Sequence, residues 1–89
     1  MRAKHKQVLQ DIFAMPVHSN ISWKDIELML RSLGADITEG NGSRVRIALG
    51  DMRAVFHRPH PRKECDKGAV VSMRRFLTSA GISPEDVSI

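Results

Sequence analysis

Gly42-Ser43-Arg44-Val45-Arg46-Ile47-Ala48-Leu49-Gly50-Asp51-Met52-Arg53-Ala54-Val55-Phe56-His57-Arg58-Pro59-His60-Pro61-Arg62-Lys63 is the stretch on which the fold turns. From Arg44 to Leu49 basic or small residues alternate with Val45, Ile47 and Leu49, the period of a half-buried strand. Gly50-Asp51 is a hairpin signal. Met52 to His57 reads as a second strand, with Met52, Ala54 and Phe56 on one face and Arg53, Val55 and His57 on the other. Pro59 and Pro61 cannot donate to a ladder, so regular pairing stops at His57. If Val45, Ile47, Leu49 and Phe56 face a core, Arg44, Arg46, Arg53 and His57 share the exposed face.

Working outward, Ala35 to Glu39 alternates as a further strand, and Gly40-Asn41-Gly42 is the turn that joins it to Arg44. Ahead of it, Ser22 is an N-cap for a helix with Trp23, Ile26, Met29, Leu30 and Leu33 on one side, closed by Gly34. Glu27 and Arg31, four apart, are expected to pair on its outer face. After the loop, Val70, Met73, Phe76, Leu77 and Ala80 form the stripe of a last helix from about Ala69 to Ala80, ended by Gly81. Lys4 to Phe13 carries Val8, Leu9, Ile12 and Phe13 at helical spacing, and Pro16 ends that run. The expected fold is α+β: an α-β-β-β-α sandwich, both helices on one sheet face, with an extra N-terminal helix. We expect one domain over 1–89, with the extra helix over 4–14, the core over 22–81 and a tail over 82–89.

Composition bounds the function. Eighty-nine residues suffice for one modest core. With aromatics at 4%, that core must rest on aliphatic side chains plus Trp23, Phe13, Phe56 and Phe76. No apolar run approaches the ~20 residues that span a bilayer, and no signal-peptide pattern opens the chain. One cysteine, Cys65, excludes a disulfide framework and fits a reducing, cytoplasmic setting. Its neighbours Glu64 and Asp66 are expected to keep it protonated and inert. The net charge of +4 favours a polyanionic partner. Between residues 44 and 67 stand Arg44, Arg46, Arg53, Arg58, Arg62, Lys63 and Lys67 against Asp51, Glu64 and Asp66. A basic patch of this kind is the footprint of phosphate binding.

His57 and His60 beside Arg46, Arg53 and Arg58 are the candidate reactive set. Cleaving RNA through its 2′-hydroxyl requires a base for that proton, an acid for the leaving oxygen and cations for the crowded phosphate. Histidine can be base and acid near neutrality, and arginine supplies a fork of donors. The bland alternative is two surface histidines in a basic loop that serve hydrogen bonding or solubility. A metal site fails on spacing: His57-x-x-His60 and Cys65 lack a fourth ligand, and the carboxylates are scattered. No cofactor is implied. Gly40-Asn41-Gly42-Ser43 precedes a strand and is no nucleotide loop. Lys67-Gly68, ahead of the last helix, reads either as a phosphate clamp or as an ordinary helix start.

Through Gly42-Ser43, Arg58-Pro59-His60-Pro61, Lys67-Gly68 and the run from Leu77 to Gly81, residues 22–81 resemble the HicA family of bacterial toxins. The resemblance implies a double-stranded-RNA-binding-domain-like fold and a ribosome-independent, metal-independent mRNA endoribonuclease. It also implies neutralisation by a HicB-type antitoxin. In that family the catalytic histidine directly follows the Gly-Ser pair, where this chain has Arg44. Arginine is not a proton shuttle at neutral pH. Either His57 on the next strand supplies the imidazole, with His60 second, or the chain binds RNA or an antitoxin without cutting. On this resemblance Arg44, Arg46, Arg53, Arg58 and Lys67 would hold phosphates. A weaker rival is a protein-interaction domain whose basic face meets an acidic partner.

Overall fold

The computed structural model describes residues 2–59 and 63–84. The elements are α1 (Ala3–Phe13), β1 (Ile21–Ser22), α2 (Trp23–Ser32), β2 (Asp36–Glu39), β3 (Arg44–Leu49), β4 (Met52–His57), β5 (Glu64–Cys65) and α3 (Lys67–Ser79). From α2 to α3 the expected helix, three strands and helix appear, and the molecule is a small α+β fold. Strands β2, β3 and β4 form an antiparallel sheet in that order. The two-residue β1 and β5 form a separate pair, Ile21 opposite Cys65 and Ser22 opposite Glu64, which no sequence pattern announced.

Burial follows the alternation. Val45, Ile47 and Leu49 of β3 and Phe56 of β4 are buried, while Arg44, Arg46, Arg53 and His57 are exposed. Trp23 of α2 and Phe76 of α3 each pack on Phe56 with ring centroids 6.0 Å apart, the second pair edge to face. One aromatic side chain therefore joins the sheet to both helices. The α2 helix begins as the sequence indicates, with the Ser22 hydroxyl accepting from the Asp25 N–H at 3.4 Å. It ends at Gly34 (φ +93°), where the Ala35 N–H reaches the Leu30 carbonyl at 3.0 Å. At α3 the cap is Asp66, whose carboxylate accepts from the Ala69 N–H at 2.8 Å, so the helix starts two residues earlier than its apolar stripe suggested. The other end closes with the Ile82 N–H on the Leu77 carbonyl, and Ile82 packs on the core rather than trailing into a tail.

Helix α1 is more than an appendage. Leu9 and Ile12 are fully buried in the same core as α2 and α3. At its C-terminus the Ala14 N–H caps the Asp11 carbonyl, and α3 supplies further donors: Arg74 donates from Nε to the Ile12 carbonyl (2.9 Å) and from Nη2 to the Ala14 carbonyl (3.1 Å). His5 of this helix is half-buried, and its shielded Nδ1 makes no hydrogen bond among the described residues. Because Leu9 has no exposed surface, Leu9→Ala should lower unfolding free energy by about 2–5 kcal/mol. Urea denaturation checks this; a loss below ~1 kcal/mol would make α1 a dispensable addition.

Candidate nucleic-acid interface

The register of β3 and β4 sets the site. Arg44 lies opposite His57, Arg46 opposite Val55 and Ala48 opposite Arg53. The Arg58 N–H donates to the Ser43 carbonyl at 2.9 Å, which makes 43/58 a hydrogen-bonded pair. Arg44 and His57 are then a non-hydrogen-bonded pair, the kind with Cα atoms about 4.5 Å apart and side chains closest. Both side chains are exposed, and neither makes a hydrogen bond or ion pair among the described residues. On the same face a shallow hollow of about 550 Å³ is lined by Asp36, Thr38, Arg46, Ala48, Arg53 and Val55. Three unpaired guanidiniums and one imidazole thus share one surface, opened by the tight Gly40–Gly42 turn. A Cβ on Gly40 would come 3.1 Å from the Arg44 Cβ, so a side chain there would push the start of the strand bearing Arg44 aside by a few tenths of an ångström.

Arg58 stands apart from this set. Following His57, it takes the parity of Phe56 and turns to the helix side of the sheet. There it donates to Glu27 of α2 from Nε (2.9 Å) and Nη2 (3.3 Å), and to Glu39 at the end of β2 from Nη1 (2.5 Å). Glu27 also accepts from the Trp23 indole N–H. The expected Glu27–Arg31 pair is absent among the described ion pairs, because Glu27 is engaged by Arg58 instead. The hydrogen bond from Arg58 holds the Glu39 carboxyl below its usual range, and the two carboxylates raise Arg58 further above an already high value, Glu39 contributing most. A guanidinium with two carboxylate partners is a clamp between sheet and helix, with little left to offer a phosphate.

Lys67 is exposed at the start of α3 and lines neither hollow described here. The adjacent helix N-terminus is taken by the Asp66 carboxylate, which offsets its attraction for an anion. His60 lies outside the described residues. Cys65 is buried, and its thiol is pushed up to about 11, by burial first and by Asp66 second. It is inert as expected, but the leading cause is desolvation rather than its acidic neighbours. Arg75, assigned no role from sequence, is exposed on α3 and lines a groove of about 880 Å³ along β4 with His57, Phe56 and Phe76. Its place off the apolar stripe was the available signal. Among the described residues no three His, Cys, Asp or Glu side chains could share a metal ion, and no helix is long and apolar enough to cross a membrane.

The family described as HicA toxin of bacterial toxin–antitoxin systems matches residues 23–82, from the first residue of α2 to the closing turn of α3. That is more than half of the chain, and the chain belongs to the HicA toxin family. It is a toxin of a toxin–antitoxin system, a class that generally acts as RNases, and membership suggests an RNA substrate and an antitoxin partner. No curated protein and no solved structure gives a match.

The clamp makes a pH prediction. Glu39 has a folded-state pKa below its unfolded value, so its contribution to stability is present above the ordinary carboxylate pKa. That contribution is lost as pH falls through the lowered one. Glu39→Gln should therefore flatten the acid side of the stability–pH curve while leaving the side above neutrality parallel to wild type. Thermal denaturation across a pH series would show it, and an unchanged acid side would remove Glu39 from the clamp's energetics.

Proposed function

We propose that this HicA-family chain is a metal-independent mRNA endoribonuclease neutralised by a HicB-type antitoxin, with His57 as its first catalytic group. The observation that carries the reading is the cross-strand pair of Arg44 and His57 on a face where Arg46 and Arg53 are also unpaired. The family's catalytic histidine falls at position 44, and a directly opposed residue on the next strand can reach the same space. His57 removes the 2′-hydroxyl proton. The 2′-oxygen attacks the adjacent phosphorus, the bond to the 5′-oxygen breaks, and a 2′,3′-cyclic phosphate forms. Arg44 stabilises the charge that gathers on the phosphoryl oxygens. Arg46 and Arg53 hold neighbouring phosphates. His60 is the second candidate, as the acid for the leaving oxygen, on sequence grounds. Arg58 and Lys67 are the least supported members of the phosphate-holding set, for the geometric reasons above.

A second reading has its own support in Arg44: a non-catalytic RNA-binding or antitoxin-binding protein requires no substitute for the missing histidine. Incubation of the purified chain with a long mRNA, with and without chelator, separates the two. Cleavage that survives chelator and is abolished in His57→Ala supports the nuclease; an undiminished rate in that variant removes His57 from the mechanism. Arg44→His should raise the rate, as a second imidazole joins the pair. Under either reading Arg46→Ala and Arg53→Ala should each reduce the slope of log affinity against log salt by about 1. Arg58→Gln should lower the urea midpoint and leave that slope unchanged.

A further inference from the structure

We infer that the free edge of β4 is a docking strand for an extended acidic segment of the antitoxin partner, which would add to the sheet beside His57. Among the described residues β4 ends the sheet, paired with β3 on one side only. The 43/58 hydrogen-bonded pair fixes the phase of the ladder. Ala54 and Phe56 therefore point their backbone groups at β3, while Arg53, Val55 and His57 point theirs away. Those outward N–H and C=O groups are what an added strand satisfies. Along this edge runs the 880 Å³ groove, floored by Ala54, Phe56, Ala69 and Phe76, with Arg75 on its far wall. At the middle of the strand Val55 is 56% exposed, one of few large apolar side chains left so open.

The occupant follows from the chemistry of the edge. A phosphate backbone matches it poorly, because outward carbonyls repel phosphate as outward N–H groups attract it. A second copy would set two arginine faces side by side. A peptide strand with alternating side chains meets both demands: apolar ones turned into the groove, acidic ones beside Arg53 on the outer face. Glu64 and Asp66 line the His57 end of the groove, so the acidic side chains belong on the outer face and not beneath it. Such a strand would shut RNA away from His57. That consequence rests on the function proposed above; the docking itself does not.

The probe is the peptide acetyl-Glu-Val-Glu-Val-Glu-Val-amide, with amide hydrogen exchange in the intact chain read by NMR. In the free protein the Arg53, Val55 and His57 amides should exchange fast and those of Ala54 and Phe56 slowly. Peptide at about 1 mM, a concentration that reveals even weak association, should slow the first three. A version N-methylated on its glutamates, whose N–H groups face β4 in an antiparallel addition with their side chains on the outer face, should give no protection, and a Lys-Val version should bind about tenfold more weakly. Val55→Pro, which removes only an outward N–H, should abolish binding that Val55→Thr retains. The inference is overturned if the three amides stay fast with the Glu-Val peptide, or if the N-methylated version binds equally well. RNA cleavage is assayed separately: peptide docking without cleavage removes the nuclease reading alone, and cleavage without docking removes this one alone.

Discussion

Burial of Phe56 between Trp23 and Phe76 is the constraint on which the surface chemistry depends. Side chains on a strand alternate with period two, so once Phe56 is held inward, Arg53, Val55 and His57 must face out. A slip of one residue would bury Arg53 and His57 and expose Phe56, at a cost of several kcal/mol in lost burial and unpaired charge. The register with β3 passes the same phase on to Arg44 and Arg46. The basic face is thus a consequence of core packing, although no basic residue on it touches the core.

The Arg58 clamp completes that logic at the sheet's end. Its parity sends it to the helix side, where Glu27 and Glu39 receive it. The arrangement ties β2, the end of β4 and the first turns of α2 together beside the Arg44–His57 pair. Both partners of the Arg58–Glu39 contact are at least a third exposed, so water screens it and its worth is modest. Glu27 is the better shielded carboxylate, and it also orients the indole that packs on Phe56. The clamp therefore serves geometry more than stability: it holds the strand that carries His57 from above, as Phe56 does from within.

Much of this was legible in the sequence, and the rest was missed for more than one reason. Three strands, the three main helices and the outward set Arg44, Arg46, Arg53 and His57 follow from short-range periodicity, because each element buries one face. Arg58 was grouped by its charge while its parity went uncounted; one residue past His57, it lies on the helix side. Arg74, given no role, and Glu27, expected to pair with Arg31, were missed for another reason. Their partners lie far away in the chain, and no local pattern encodes which carbonyl or carboxylate a long side chain will reach. The β1–β5 pair is too short to have a period, and Cys65 owes its raised pKa to burial that only the assembled core defines.

On the function proposed above, an arginine at position 44 where the family would carry its histidine acquires a structural meaning from the same register. In an antiparallel pair, residues at a non-hydrogen-bonded site are the closest neighbours two strands can offer. A reactive group can then move from one strand to the other while its side chain stays over the same patch of surface. Position 44 would supply charge and position 57 the exchangeable proton, dividing between two residues what a histidine at 44 would combine. Such a division needs the two strands locked in register, which returns the chemistry to Phe56. It also leaves the proton-carrying residue on the outermost strand, whose far edge is open. A nuclease built in this way would be most easily silenced from that edge, by whatever can pair with it.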